Sequence, residues 1–231
     1  MKSSLPLIGL LTLLHAAAVA AQVGHSPESS PFRDIRTKHA FAIQGSHLGG
    51  NGGLLGLVPR NGDIIGGRYD IRMGTAVELG FGVARGNLER LVIDPNLPPD
   101  LRTTGPVERA MTFWHFNFNF LLTGKKSWHR LAPYLGTSLG LAFGGTVPED
   151  TSGFTFSTKF FASPALGVKW YPTERFFLRL ESRLFLWKAS YPTSFFGDAD
   201  TDPVLRTAID PESEWTQQPL FTVGLGYAFR Y

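Results

Sequence analysis

The sequence predicts an all-β chain that forms an eight-stranded antiparallel up-and-down transmembrane β-barrel. Three observations support this fold class. Residues 219–231 alternate between large apolar and small or polar side chains, which is the period of a strand with two different faces. Seven further segments have a similar period, and short and long connections separate them in turn. The N-terminal residues have the pattern of an export signal.

The sequence predicts three consecutive segments, two of them short and N-terminal. Residues 1–21 predict a secretory signal peptide: Lys2 is followed by the apolar run 5–14 and by small residues that favour cleavage near Ala21. The apolar run is short for a helix that spans a membrane. Residues 22–37 are polar, so we expect a loose periplasmic segment. Residues 38–231 then form the barrel.

The last strand has the clearest pattern in the chain. One face carries apolar and aromatic residues, which we expect to meet lipid: Phe221, Val223, Leu225, Tyr227, Phe229 and Tyr231. The other face carries smaller or polar residues, which we expect to meet the lumen: Leu220, Thr222, Gly224, Gly226, Ala228 and Arg230. A soluble sheet rarely exposes such an aromatic row, so this strand favours a transmembrane barrel.

The other seven strands follow from the same period of two residues. Their predicted ranges are 38–48, 64–73, 76–85, 109–123, 131–144, 154–171 and 176–189. In the fourth, an aromatic face opposes His115, Asn117 and Asn119, which face the lumen because amides are costly in hydrocarbon. Pro164 predicts a bulge or bend in the sixth strand.

The connections and the composition agree with this fold. Short connections cover 72–75, 124–130 and 172–175, whereas 49–63, 90–108, 145–153 and 190–216 are long, as periplasmic turns and extracellular loops are. Charged residues make up 18% of the chain, below the usual ~25% of soluble domains. The absence of Cys excludes disulfides and thiolate metal sites. A net charge of +3 gives no case for nucleic-acid binding.

Three segments resemble the small eight-stranded outer-membrane barrels, such as the OmpA transmembrane domain, OmpX and the outer membrane protein beta-barrel domain families. These are Gly-Gly-Arg-Tyr-Asp-Ile-Arg at 66–72, Val-Glu-Leu-Gly-Phe-Gly at 77–82 and Gly-Leu-Gly-Tyr-Ala-Phe-Arg-Tyr at 224–231. The resemblance implies a location in the outer membrane of a Gram-negative-type cell after Sec-type export. The family includes anchors, adhesins, channels and lipid-modifying enzymes, so it does not imply one activity.

The chain end also resembles the C-terminal assembly signal of such barrels. Gly226, Phe229 and Tyr231 match that signal, although Gly224 stands where a polar residue is usual. The resemblance implies that the barrel-assembly machinery is a partner during insertion. It further implies contact with outer-membrane lipids and lipopolysaccharide.

Nine charged residues share the inward parity of their strands. We expect them to form a salt-bridged plug, because an eight-stranded barrel is only wide enough for side chains and buried charges need partners. The predicted lumen charge network comprises Arg68, Asp70, Arg72, Glu78, Lys169, Arg179, Glu181, Arg183 and Arg230. The alternative is a gated path for ions.

Three further groups of residues allow a functional and a structural interpretation. His115 with Ser138 could indicate a hydrolase, but no ordered Ser, His and carboxylate set is present, so we predict no catalytic residue. Five aromatic residues predict interfacial girdles in preference to a ligand cage: Trp114, Trp170, Tyr171, Trp187 and Tyr227. The acidic residues of the last loop suggest calcium but lack the EF-hand spacing, so we predict a solvated loop: Asp198, Asp200, Asp202, Asp210, Glu212 and Glu214.

The sequence therefore predicts a structural or surface-interaction protein without enzymatic activity. We expect a monomer that binds no nucleic acid, metal or cofactor, with the loops 90–108 and 190–216 as its outer contact surface. A narrow small-solute or ion channel is the alternative, and a lipid-modifying enzyme is the third possibility.

Overall fold

A computed structural model of the chain describes residues 29–145, 150, 153–198 and 202–230. The predicted signal peptide 1–21, residues 22–28 of the segment 22–37, and Tyr231 lie outside these residues. Within them, the predicted all-β, eight-stranded antiparallel barrel is confirmed. Among the described residues, no helix is long and apolar enough to cross a membrane.

Eight long strands form the barrel wall. We number them β1 to β8 in chain order: His39–Leu48, Arg60–Met73, Val77–Ile93, Thr103–Leu121, Leu131–Gly144, Lys159–Trp170, Phe176–Ser190 and Ser213–Phe229. Each pairs antiparallel with the next, and β8 closes the barrel on β1 from Leu220 opposite Leu48 to Phe229 opposite His39. Closure leaves no free sheet edge in the wall, which a strand protein requires in a bilayer.

The two faces of the wall have opposite chemistry. Most outward residues at mid-strand are apolar and exposed, as a lipid-facing surface requires. This apolar belt includes Phe41, Ile43, Ile65, Leu79, Phe81, Phe116, Phe118, Leu139, Leu166, Leu180, Val223 and Leu225. The inward residues between them are buried, and many of them are charged or amidic.

The short connections between β2 and β3, β4 and β5, and β6 and β7 lie at one end of the barrel, and the long ones lie at the other. Following the orientation predicted from the sequence, we refer to these ends as the periplasmic and extracellular ends. At the extracellular end, Thr193–Phe195 forms a 3-10 turn, and Phe196–Gly197 pairs in parallel with Leu205–Arg206. The last long connection therefore contains short elements of secondary structure that the sequence analysis did not predict.

At the periplasmic end, part of the N-terminal segment is paired, in contrast to the expected loose lead. Phe32–Asp34 pairs antiparallel with Lys126–Trp128, in the turn between β4 and β5. The backbone N–H of Ile35 donates to the Lys125 carbonyl at 2.7 Å. The reason is that this turn offers backbone groups that the barrel ladder does not use.

Several strand ends differ from the predicted ones. β3 continues to Ile93 and β4 begins at Thr103, so this hairpin extends further than the ranges 76–85 and 109–123. β6 begins only at Lys159, and the preceding Phe154 and Phe156 are buried, although the strand prediction placed them outward. Across the described strand β6, Pro164 produces no bulge: the register with β7 is the same before and after it, and the ladder is interrupted only at Ser163 and Pro164.

Candidate functional site

The barrel lumen is filled by two layers of side chains, and it is the candidate site that the sequence pointed to. The layer toward the periplasmic end contains eight of the nine predicted residues, all of them buried: Arg68, Asp70, Arg72, Glu78, Lys169, Arg179, Glu181 and Arg183. We refer to these eight as the lumen charge network. The layer toward the extracellular end is aromatic and aliphatic.

Asp70 on β2 is the centre of the lumen charge network. Its carboxylate accepts a hydrogen bond from Arg68 Nε at 2.6 Å and another from Arg179 Nη2, and Lys169 Nζ lies 3.6 Å from its second oxygen. Three cations from β2, β6 and β7 therefore share one carboxylate. Such a buried group needs this many partners because an unpaired charge in the lumen is costly.

Glu78 on β3 is the second anion of the lumen charge network. Lys169 Nζ donates to both of its oxygens, at 2.6 and 2.7 Å. Asn119 Nδ2 on the adjacent β4 donates to the same carboxylate at 3.2 Å. Asn119 thus has the inward orientation that the alternation predicted, and it completes the hydrogen bonding of an ion pair.

Glu181 on β7 is the third anion. Tyr134 donates its hydroxyl hydrogen to Glu181 Oε2 at 2.6 Å, Arg183 Nε donates to Oε1, and Arg68 Nη1 lies 3.6 Å from Oε2. Sequence reasoning gave Tyr134 the inward parity but no role. The feature of the sequence that could have indicated this role is a large hydroxylated side chain among the small inward residues of β5.

The predicted neighbourhood of His115 and Ser138 is a polar cluster without the order of a catalytic triad. Ser138 donates to Asn117 Oδ1 at 2.7 Å, and His115 Nδ1 lies 3.1 Å from the same oxygen. Arg183 donates to both Ser138 Oγ and Asn117 Oδ1. The Ser138 hydroxyl therefore contacts an amide oxygen and a guanidinium, neither of which can act as the general base that a nucleophilic serine requires.

Small residues make room for these side chains. A Cβ atom at Gly80 would lie 2.2 Å from Asp70 Oδ1, so any larger residue there would displace the central carboxylate. At Gly226, a Cβ atom would lie 2.1 Å from the ring of Phe177. Gly226, which matches the assembly signal, therefore also has a packing role inside the barrel.

Arg230 is placed differently from the other predicted network residues. β8 ends at Phe229, and Arg230 follows it as an exposed residue at the periplasmic rim. The prediction placed Arg230 inward from the alternation of the last strand, but this strand ends one residue earlier. Phe229, the second residue of the predicted assembly signal, stacks on His39 with ring centroids 5.6 Å apart, and Tyr231 lies outside the described residues.

Two of the five aromatic residues assigned to interfacial girdles are buried. Trp187 is fully buried in the upper lumen, where it packs against Phe156 and Phe185 with ring centroids 5.1 and 5.3 Å apart. Tyr171 is buried near Phe177 at the periplasmic end. The girdle prediction is wrong for these two, because Trp187 has the inward parity of β7 and Tyr171 follows the end of β6. Trp114, Trp170 and Tyr227 are exposed on the outer wall.

The extracellular loops pack against the upper layer. Five of their residues are buried in the same hydrophobic cluster: Leu57, Val58, Phe156, Phe195 and Leu205. We call this layer and its loops the cap. The Arg109 guanidinium holds the Phe156 carbonyl at 2.8 Å, and Arg90 pairs with Asp150 beside the ring of Phe154. Sequence reasoning missed the buried Arg90 because it ended β3 at Arg85.

Two acidic residues of the last loop accept hydrogen bonds from other parts of the extracellular end. Glu214 accepts hydrogen bonds from the Leu54 backbone at 2.6 Å and from the Tyr191 hydroxyl, and Asp210 accepts one from the Arg206 backbone at 2.7 Å. Burial and the Glu214 carboxylate raise the pKa of Tyr191 above its ordinary value of 10.0. In the described part of the chain, which lacks Asp200, no group of three or more His, Asp or Glu residues could hold a metal ion.

The lumen contains a small void between its two layers of side chains. A void of about 30 Å³ lies between the two layers, beside His115, Phe113 and Arg183. This is enough for about one water molecule and not for a substrate. The surfaces of the barrel are thus more accessible for interactions than its interior.

Comparison with solved structures places this fold among known barrels. The chain is similar to the outer membrane protein OprG from Pseudomonas aeruginosa, with a TM-score of 0.50 and 11% identity over 84% of this chain and 98% of that one. Neisserial surface protein A, NspA, gives a TM-score of 0.47 and 12% identity over 84% and 97% of the two chains. No protein-family model and no curated protein sequence matches the chain.

These findings define the class of protein by its fold. The chain is a closed eight-stranded antiparallel barrel of the small outer-membrane type, as the resemblance of its sequence motifs implied. At this level of identity the similarity concerns fold alone.

Proposed function

We propose that the protein resides in the outer membrane and has a structural or surface-interaction role there, without enzymatic activity. The observation that carries this proposal is the filled lumen. The lumen charge network occupies one half and the cap occupies the other, so within the described residues side chains fill the interior and leave little room for transport or for a bound substrate. The interactions of such a barrel take place on its outer wall and its loops.

The extracellular loops are the proposed contact surface. Hydrogen bonds connect these loops to each other. Arg102 of the second loop donates to the Asp202 carbonyl of the fourth at 3.0 Å. The backbone N–H of Leu54 in the first loop donates to the Glu214 carboxylate. Large apolar side chains are exposed on this ordered surface: Leu54, Leu97, Leu101 and Ile209. Apolar residues on ordered loops are suited to contact a partner, since their burial would be favourable.

The proposal includes export and assembly. The segment 1–21 directs export and is removed near Ala21, the barrel-assembly machinery reads Gly226, Phe229 and Tyr231, and the monomeric barrel contacts outer-membrane lipids and lipopolysaccharide. Support comes from the sequence patterns and from the apolar belt on the closed wall. N-terminal sequencing of the protein from isolated outer membranes tests the cleavage position and the location together.

A binding experiment tests the contact surface. Cells that display the wild-type barrel are compared with cells that display Leu97→Ser/Leu101→Ser, and Leu54→Ser/Ile209→Ser is a second variant. We expect weaker retention of envelope components and of host or neighbouring-cell surfaces by the loop variants. Val223→Ser, on the lipid-facing wall, is the control. Equal retention by all variants would overturn the role of the loops.

A further inference from the structure

The periplasmic end of the barrel carries an excess of exposed positive charge. Among the described residues at this end, two carboxylates are exposed, Asp34 and Glu174, whereas eight cations are exposed. Eight against two leaves an excess of six positive charges, which exceeds the formal net charge of +3 of the whole chain. Such a surface attracts anions. The eight cations are Arg33, Arg36, Lys38, Lys125, Lys126, Arg130, Arg175 and Arg230.

The N-terminal segment brings part of this charge to the periplasmic mouth of the lumen. Residues Phe32–Asp34 pair with the turn between β4 and β5, and the Ile35 N–H donates to the Lys125 carbonyl at 2.7 Å. The Lys38 carbonyl then accepts a hydrogen bond from the Arg72 backbone N–H at 2.7 Å. The backbone of this segment is therefore fixed between the β4–β5 turn and the end of β2.

A cavity of about 610 Å³ lies between this segment and the turn after β2. Asp34 is the one carboxylate among its described lining residues, and it lies opposite Lys126 in the strand register. A cation outside the cavity therefore already faces this carboxylate. Four cations line the cavity: Arg36, Lys38, Arg72 and Lys125.

Arg72 gives the cavity a fixed donor group. Its side chain is only 9% exposed, and its Nη1 donates to the Ile35 carbonyl at 3.1 Å. Its Nε is buried and has no hydrogen-bond partner within the described residues. Buried N–H groups are normally hydrogen-bonded, and a guanidinium binds most strongly to an anionic oxygen. The lining of the cavity therefore favours a ligand with such an oxygen.

The cavity opens where the lipid-facing wall ends. Met73, the last residue of β2, lines the cavity, has the same outward parity as Ile65 and Tyr69, and is 52% exposed. A ligand in the cavity can therefore contact the apolar wall and the cations beyond it. A phospholipid has this combination of an acyl chain and a phosphate. Because four cations face one carboxylate, an anionic headgroup is favoured over one that also carries an ammonium.

We propose that this cavity binds the headgroup of an anionic phospholipid of the phosphatidylglycerol class. Arg36 and Arg72 hold the phosphate, Lys38 and Lys125 add positive charge around it, and the acyl chains leave along the wall at Met73. This inference rests on the proposed location in a membrane. It adds a lipid site at the periplasmic end to the contact surface that the extracellular loops provide.

Lipid retention tests the site. The full-length barrel is placed in nanodiscs of equimolar phosphatidylglycerol and phosphatidylethanolamine, extracted with mild detergent, and the retained lipids are quantified by mass spectrometry. We expect enrichment of phosphatidylglycerol over the nanodisc ratio. Arg36→Gln/Lys38→Gln/Lys125→Gln, which changes three exposed residues, returns the retained lipids to the nanodisc ratio.

A second triple variant is the matched control. Arg85→Gln/Lys188→Gln/Arg206→Gln also removes three exposed cations, but away from the periplasmic end, and it keeps the enrichment. Both variants have the same net charge, so a difference between them is due to the position of the cations. A heat-dependent gel shift shows that each variant is folded, so that a loss of lipid is not a loss of structure.

The possible outcomes separate this inference from the proposed location. A wild-type barrel that fails to enter nanodiscs overturns the membrane location and the lipid site together. Insertion without enrichment, enrichment of phosphatidylethanolamine, or an equal loss in both triple variants overturns the lipid site alone. If the wild-type barrel instead binds purified peptidoglycan without lipid enrichment, and the first variant does not, the cations bind the cell wall and the lipid site is overturned.

Discussion

Lys169 Nζ lies 2.6 and 2.7 Å from the two carboxylate oxygens of Glu78, although β6 and β3 are not neighbours in the barrel wall. The ion pair therefore crosses the lumen and connects two sides of the barrel. Both side chains are buried, so neither charge can exchange its partner for bulk water. The inward charges that the sequence pattern predicted therefore pair across the lumen and fill it.

The first prediction concerns this pair. Glu78→Gln leaves the ammonium of Lys169 with weaker partners, and we expect the free energy of unfolding in detergent to fall by about 3–5 kcal/mol. Glu78→Gln/Lys169→Met removes both charges and should recover most of this loss. Urea titration of both variants measures the difference, and Glu174→Gln in an exposed turn is the control. A single variant as stable as the wild type would mean that water reaches Glu78.

The second prediction concerns the cap. Trp187→Ala removes a fully buried ring between Phe156 and Phe185, and we expect it to cost about 3–5 kcal/mol through lost contacts and the cavity left behind. Trp170→Ala, on the exposed outer wall, is the matched control and should cost less. Unfolding midpoints in the same detergent compare the two. Equal losses would place Trp187 outside the packed core.

The sequence predicted the strands well because a membrane wall forces strict alternation. All eight strands and the orientation of residues such as Phe116 and Asn117 follow from the period of two. The pattern weakens above the apolar belt, where outward residues become polar at Arg85 and Asn87. That change explains why the extension of β3 to Ile93 was missed.

The partners inside the lumen could not be predicted in the same way. Alternation gives the face of a residue but not the height at which it meets residues from other strands, so the pairing of Glu78 with Lys169 depends on the register of several strands. Outside a strand the period has no meaning, as the buried Phe154 and Phe156 and the exposed Arg230 illustrate.

The third prediction concerns alkaline pH. The pKa of Tyr191 is raised by burial and by Glu214, so the folded state keeps the phenol proton above pH 10.0, where the unfolded state loses it. The resulting stabilisation is complete below about pH 10 and is lost as pH rises beyond it. We expect Tyr191→Phe to reduce the slope of stability against pH above pH 10, as measured by urea titrations. A parallel curve for the variant would contradict this role of Tyr191.

The fourth prediction concerns the assembly signal. Deletion of Tyr231 removes one side chain, so its thermodynamic effect should be about 1.5–3 kcal/mol at most. If the residue is read during insertion, the yield in the outer membrane of cells falls strongly, whereas refolding into detergent is nearly unchanged. Arg230→Ala, at the exposed neighbouring position, is the control. Normal yield in cells from the truncated chain would exclude Tyr231 from the signal.

The most direct measurement is the conductance of planar bilayers that contain the full-length barrel, because the account depends on a lumen filled by the lumen charge network and the cap. Insertion is verified in the same preparation by the heat-dependent shift of the folded protein on a denaturing gel. We expect the current of the bare bilayer, with no discrete steps, since buried side chains fill both layers and the void between them is about 30 Å³. Reproducible unitary steps that scale with the amount of inserted protein would contradict it and favour a channel.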